Sequence, residues 1–191
     1  MSTDELTAAE GAELLQVANL AIDRWVEMGT ELVVDASAYS PGLQAEAASF
    51  VTLRRVDGSL RGCMGSSMAL RPLVCDVASN AHAAATRDPR FDQLRSDERG
   101  GLQVSVSVLS PLERMDVTDT ADLVRQLRPG VDGLLLVDEG RRGTLLPAVW
   151  EALSDPERFV AEVKGKAGWP ADYWSETLAA FRYTAQSFGP S

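Results

Sequence analysis

The chain has 191 residues, 45% hydrophobic and 24% charged, with a net charge of −10 at pH 7. That is the make-up of a folded chain with a sizeable core, which excludes a disordered one. The acidic balance also excludes nonspecific nucleic-acid binding, which needs a basic surface to displace counterions.

The opening Met-Ser-Thr-Asp-Glu is polar and acidic, without the basic and apolar regions of a signal peptide. No apolar run approaches the length of a membrane span. A cytoplasmic protein that does not enter a membrane is therefore expected. Residues 1–7 are read as a flexible terminus, 8–188 as the domain and 189–191 as a tail. Thr7 with Glu10 has the spacing of a capping box. Leu14, Ala18, Ala21, Ile22 and Trp25 then recur at helical spacing through Met28, and Gly29 ends the helix. Residues 30–49, with Pro41-Gly42 and many small side chains, read mainly as a connecting loop.

Phe50–Val56 and Ser59–Gly65 flank Asp57-Gly58 and predict a β-hairpin with a two-residue turn. That register sets Val56 opposite Ser59, Arg54 opposite Arg61, and Thr52 opposite Cys63. Val51, Leu53, Leu60 and Met64 form the core face; Thr52, Arg54, Arg61 and Cys63 form the other, placing a thiol beside two guanidinium groups. Pro72 is set for the first position of a helix reaching about Ala85, with Leu73, Val77, Ala81 and Ala84 on one stripe and Asp76 and Asn80 sharing another face. His82, alone in the alanine run, reads as structural and is not assigned to catalysis. Arg87-Asp88-Pro89-Arg90-Phe91 follows as a loop with two guanidinium groups and a carboxylate, the equipment for anion recognition or for holding the loop to its neighbours.

Leu102–Leu109 is the clearest strand, with Leu102, Val104, Val106 and Val108 on one side and Gln103, Ser105 and Ser107 on the other. Thr118 or Asp119 caps a helix stopped by Pro129-Gly130. Gly133–Val137 is a buried strand that turns at Asp138-Glu139-Gly140 into Arg141–Leu146, followed by a helix opened by Pro147. This second hairpin loosely echoes the first. Asp155-Pro156 starts a helix ending near Gly168; Trp169, Tyr173 and Trp174 read as a core seal. Leu178–Phe188 reads as one last strand.

Leu60-Arg61-Gly62-Cys63-Met64-Gly65-Ser66, then Arg71-Pro72-Leu73 and Arg87-Asp88-Pro89-Arg90-Phe91, resemble the AMMECR domain family. Val106–Pro111, Pro129–Leu134 and Gly140–Pro147 with Val149-Trp150 agree with it, so the resemblance covers about residues 10–185. It implies a soluble, two-lobed α+β domain, with Memo-like and radical-SAM proteins as associates in a shared pathway, and it implies no particular reaction. Many members are acidic at the position of Ser105, which here is neutral.

The expected fold is α+β, a two-lobed single domain with a mostly antiparallel sheet and flanking helices, because hairpins rather than βαβ crossovers dominate. The larger lobe takes the first hairpin and Leu102–Leu109; the smaller takes part of the second hairpin and its helix. The candidate reactive group is Cys63, whose thiolate nearby arginines would favour. Without a signal for export, Cys63 and Cys75 are expected to be free thiols. No metal-ligand spacing, Walker lysine or dinucleotide signature is present, so neither metal nor cofactor is expected.

Two functions fit. One is an enzyme or enzyme subunit with a cleft between the lobes, where Arg61, Gly62, Gly65, Arg87, Asp88, Arg90, Arg141, Arg142, Gly143 and Thr144 accompany Cys63 and bind a small anionic substrate. The other is a non-catalytic binding or scaffold module, using the same arginines to dock a protein, peptide or nucleotide.

Overall fold

A computed structural model describes residues 5–190. Residues 1–4 of the expected terminus and Ser191 of the expected tail lie outside the described residues. In chain order the elements are helices α1 (Ala8–Met28) and α2 (Pro41–Gln44), strands β1 (Ser49–Arg55) and β2 (Leu60–Gly65), helix α3 (Leu73–Thr86), and strands β3 (Leu102–Leu109) and β4 (Glu113–Met115). Then come α4 (Thr120–Gln126), β5 (Gly133–Asp138), β6 (Arg141–Leu145), α5 (Pro156–Lys166), β7 (Ala179–Tyr183) and β8 (Ala185–Phe188). The fold is α+β, with two four-stranded antiparallel sheets ordered β2-β1-β3-β8 and β4-β7-β5-β6. The chain divides into two compact units, one holding the chain through Leu109 and again from Gln186, the other holding Ser110–Ala185.

In the first unit, α1 forms where its cap dictates. Glu10 N donates to Thr7 Oγ1 at 3.2 Å, and Thr7 N donates to the Glu10 carboxylate at 2.9 Å. The helix buries Leu14, Val17, Ala18, Ala21 and Ile22 against Val74, Val77, Ala81 and Ala84 of α3 and the inner face of the sheet, Val51, Leu53, Val104 and Val106. Each such large aliphatic side chain contributes roughly 1.5–3 kcal/mol by leaving water. Leu6 is tied down by its backbone, bonded through both N–H and C=O to the Gln186 side chain at 2.9 and 2.7 Å. Pro72 sits one residue earlier than expected, as the extended cap before α3 with a ψ of 136°, its carbonyl taking the first turn's Asp76 N–H at 2.9 Å. The segment after Phe91, unassigned from sequence, forms a 3-10 turn at Ser96–Gly101. Arg99 on that turn bonds Asp23 and Asn19 of α1 at 2.5 and 2.8 Å, fastening the segment to the first helix.

The first hairpin differs from its predicted register. Its loop has three residues: Gly58 N donates to Arg55 O at 2.9 Å, Arg55 N donates to Ser59 O at 2.8 Å, and Gly58 takes a left-handed φ of 82°. A bulge between Leu53 and Arg54 then pairs Arg54 with Leu60, while Leu53↔Gly62 and Thr52↔Cys63 hold. Asp57 selects the longer loop by accepting the Ser59 N–H at 2.9 Å. The extra residue is Arg61, which therefore does not face Arg54.

In the second unit, α4 and α5 cover Leu134 and Leu136 of the central strand with Leu123, Phe159, Val160 and Val163. Trp150 stacks on Phe159 at 3.8 Å between ring centres, and Trp169 stacks on Tyr173 at 4.9 Å. The helix opened by Pro147 is a 3-10 turn, Pro147–Glu151. The expected single strand Leu178–Phe188 is two strands in different sheets, broken at Thr184. There the ladder is replaced by a local exchange: Ser110 N donates to Thr184 O, and Thr184 N to Ser110 Oγ, both at 2.9 Å. Three-residue β4 is too short to carry a sequence period, and it was not anticipated. Among the described residues no helix is long and apolar enough to cross a membrane.

Candidate functional site

The predicted residues fall in both units, and each group is described within its own. In the first unit the hairpin bulge decides the chemistry. Arg61, only 4% exposed, sends Nε and Nη2 to the Glu98 carboxylate at 2.7 and 2.8 Å, and Nη2 also to Asp92 O at 3.1 Å. This pairing holds the Glu98 carboxyl down at about 2, chiefly through the Arg61 hydrogen bonds. Arg61 is thus a partner of the 3-10 turn. Its guanidinium also lies 5.6 Å from the Phe91 ring centre, the distance at which Arg90 lies from the same ring.

Gly62 has a packing reason: a Cβ there would collide with the Ala84 carbonyl of α3. Gly65 is pressed in the same way against Phe50 and the Ser49 carbonyl. Cys63, between them, is half-buried and free. Thr52 Oγ1 donates to its Sγ at 3.4 Å, and Thr52 is flanked on its other side by Ser105 of β3. Cys63, Thr52 and Ser105 therefore form one polar row across three strands.

Asp88 joins that row to the loop. Buried against β2, it accepts the Cys63 N–H through Oδ2 at 2.8 Å. The same carboxylate takes a bidentate grip from Arg90, Nε to Oδ1 at 2.9 Å and Nη2 to Oδ2 at 2.7 Å. The Arg90 bonds, helped by the Cys63 N–H, hold the Asp88 carboxyl down at about 2. Arg90 is half-exposed, so a guanidinium of fixed orientation is presented beside Cys63 with N–H groups to spare. Arg87 is exposed. His82 is not part of this group: it is buried edge-on against Trp25 at 5.4 Å, neither ring nitrogen has a partner, and burial pushes its pKa down. Cys75 is free and partly buried, its thiol 3.7 Å from Val34 O.

In the second unit, Gly143 repeats the role of Gly62, since a Cβ there would collide with the Val163 carbonyl of α5. Thr144 is spent internally: its hydroxyl donates to Leu134 O at 2.9 Å and meets Tyr183 Oη at 2.7 Å. Arg141 donates to Gly168 O at 3.4 Å and lies 5.9 Å from the Trp169 ring centre. Arg142 is exposed at the same strand.

Two features escaped the sequence reading. Glu98, the partner of Arg61, lay in a polar run without a period; the only signal was its position three residues after Arg95, whose N–H it accepts at 3.2 Å. Asp76 is almost fully buried and accepts from Ser49 N at 2.9 Å, Ser49 Oγ at 2.7 Å, Ser66 Oγ at 2.8 Å and Asn80 Nδ2 at 2.8 Å. The Asp76/Asn80 spacing was legible, but its burial was not. Among the described residues no group of three His, Cys, Asp or Glu is arranged to hold a metal ion. The arrangement offers instead an oriented guanidinium, a half-buried thiol with a hydroxyl on its sulfur, and a carboxylate fixing both.

Comparison with known proteins agrees with these motifs. The family model AMMECR1 matches residues 15–188. A Thermotoga maritima protein is 36% identical over 168 residues, covering 87% of this chain and 91% of its own. A Methanothermobacter thermautotrophicus protein is 34% identical over 189 residues, covering 96% and 95%. The crystal structure of the uncharacterised protein PH0010 from Pyrococcus horikoshii superposes with a TM-score of 0.87 at 32% identity, covering 95% of this chain and 92% of that one.

Proposed function

The chain belongs to the AMMECR1 family, and from that premise we propose that it is an enzyme or enzyme subunit whose first unit holds a small anionic substrate on Arg90 beside the Cys63 thiol. The observation that carries this reading is the double use of Asp88. One carboxylate fixes the backbone at Cys63 and the guanidinium of Arg90, so the two groups keep a set spacing without substrate present. With Nε and Nη2 gripping Asp88, the remaining guanidinium N–H groups of half-exposed Arg90 suit a carboxylate or phosphate, and the thiol is the group with chemistry to offer it. The family resemblance supports a place in a pathway shared with Memo-like and radical-SAM proteins, in the cytoplasm.

The test compares alkylation of Cys63 by iodoacetate, an anion, and iodoacetamide, its neutral analogue, read by mass spectrometry with Cys75 as internal control. Iodoacetate is expected to gain several-fold over iodoacetamide at Cys63 relative to Cys75, as charge steering predicts, and Arg90→Gln should erase the gain. Equal ratios at the two cysteines would sink the reading.

One observation favours a second reading, docking of a protein, peptide or nucleotide without chemistry: Arg61 and Arg90 already hold carboxylate partners. In that case Arg90→Glu and Arg141→Glu would weaken capture of a Memo-like or radical-SAM partner, and Cys63→Ala would not.

A further inference from the structure

His82 is the chain's one histidine, and the site described above leaves it unused. It lies on α3, 7% exposed, and neither Nδ1 nor Nε2 has a hydrogen-bond partner among the described residues. Burial holds its pKa below the usual 6.5. Two charges bear on it: Glu31, on the segment after α1, favours the imidazolium, and Arg87, at the end of α3, opposes it. The ring packs edge-on against Trp25 of α1, 5.4 Å between ring centres. Trp25 in turn donates its Nε1–H to Leu94 O at 3.2 Å, and Leu94 N donates to Ala85 O of α3 at 2.7 Å. One set of contacts therefore ties α1, α3 and the segment after α3 together around an imidazole with no partner for a second proton. That segment carries Asp88 and Arg90, and the Asp92 carbonyl that Arg61 takes.

We propose that His82 is an acid-sensitive latch: its protonation frees Trp25 from Leu94 and slackens the segment that carries Asp88 and Arg90, so that acid weakens anion binding beside Cys63. The proposal adds regulation to the anionic-substrate reading above and rests on that reading for what the latch controls. An imidazolium at this place would be a buried cation without an acceptor, which costs more than an ordinary hydrogen bond returns. The proton is therefore taken up by the opened form, and acid draws the population towards it. The sign follows from the two proton affinities. The opened imidazole binds its proton at the usual 6.5 and the closed one only at lower pH, so the closed form is fully favoured above that value and is lost as pH falls below it.

The experiment takes the full chain from pH 8 to pH 5 and reads three things: the imidazole resonances of its one histidine, amide exchange at Leu94 and Cys63, and the iodoacetate-to-iodoacetamide ratio at Cys63, in which the thiolate fraction cancels. Parent and His82→Phe are compared at each pH, which removes the intrinsic pH dependence of exchange. His82 should titrate below the usual 6.5. In the parent, protection of Leu94 and Cys63 should fall below that pH relative to the variant, approaching about tenfold per pH unit, the limit for one proton. The alkylation ratio should decline with it in the parent and stay level in the variant. An imidazole that titrates at the free value, or Leu94 protection with the same pH dependence in both proteins, would overturn the latch. The resonance titration uses the parent alone, so it decides even where His82→Phe does not fold. If the latch is overturned while the iodoacetate preference still depends on Arg90, the anionic-site reading stands. If Leu94 protection follows His82 but Cys63 shows no iodoacetate preference at any pH, that reading falls and the latch survives as a property of the segment alone.

Discussion

The β1–β2 hairpin of the first unit and the β5–β6 hairpin of the second occupy corresponding places in their sheets. In each, the second strand lies at an edge, the first lies inside it, and the strand that follows the covering helix pairs on the far side, giving β2-β1-β3 and β6-β5-β7. Leu53↔Gly62 corresponds to Leu136↔Gly143, and both glycines admit a helix backbone, from α3 and from α5. The turns differ. Glu139 and Gly140, with φ of 47° and 78°, make a two-residue connection in the second unit, and its ladder runs without a bulge. Three residues and a bulge in the first send Arg61 into the interior. The next pair differs too: Thr52↔Cys63 in the first unit stands where Leu135↔Thr144 stands in the second, with Ser105 and Phe181 beyond them. One scaffold therefore carries a half-open polar row in one unit and a closed, internally bonded position in the other. The lesson is that the shared architecture sets the close packing, and the turn decides whether chemistry is left over.

The comparison can be broken first at its shared point. Gly62→Ala and Gly143→Ala should each destabilise their own unit by about 3 kcal/mol, the upper range for overpacking, because the obstacle is helix backbone. Amide hydrogen exchange in urea, followed in β1 and β3 for the first unit and in β5 and β7 for the second, reads the two separately. If either variant is as stable as the parent, the correspondence of the glycines fails.

Asp88→Asn sharpens the difference, since the second hairpin's buried carboxylate, Asp138 on β5, is held by the hydroxyls of Tyr173, Ser175 and Thr177, whereas Asp88 is held by the Arg90 guanidinium and the Cys63 N–H. Its folded value of about 2 lies below the usual 3.8, so its contribution is fully present above pH 4 and is lost as pH falls towards 2. At neutral pH the substitution should cost about 2 kcal/mol. The stability difference between parent and variant should shrink steadily between pH 4 and 2, as measured by urea midpoints. A difference that stays constant over that window would show the carboxylate's charge to be irrelevant.

The smallest effect is expected from Cys63→Thr, which copies Thr144 into the first hairpin. Both side chains are small and the site is half-buried, so stability should change by less than about 1 kcal/mol, while alkylation at position 63 disappears. A large loss of stability would recast Cys63 as a packing residue.

Much of the framework was readable because its signals are local. Thr7, Glu10 and Gly29 mark α1 at both ends, and alternation from Leu102 to Leu109 marks β3. The strand-to-strand echo was also visible, although hardly any residue repeats. The misreadings share a cause in side chains that bond backbone groups outside the expected ladder, one near and one far in sequence. Asp57-Gly58 fits a two-residue turn, but the Asp57 side chain reaches Ser59 and adds a residue. Leu178–Phe188 alternates as one strand, yet Thr184 finds its partner in Ser110, seventy-four positions away. The candidate site was legible as residue types and not as pairings. Asp88 and Arg90 lie at Cys63, but nothing in the spacing of the sequence announces Glu98 as the partner that draws Arg61 off the thiol's face.

Asp88 has one further consequence, for solubility. Strand β2 lies at the edge of its sheet, where unpaired N–H groups invite a strand from another copy of the chain. By taking the Cys63 N–H, the Asp88 carboxylate fills a place such a strand would need, and it sets a negative charge there. The residue that orients Arg90 is therefore also a guard against edge-to-edge self-association, placed at the strand that carries the thiol.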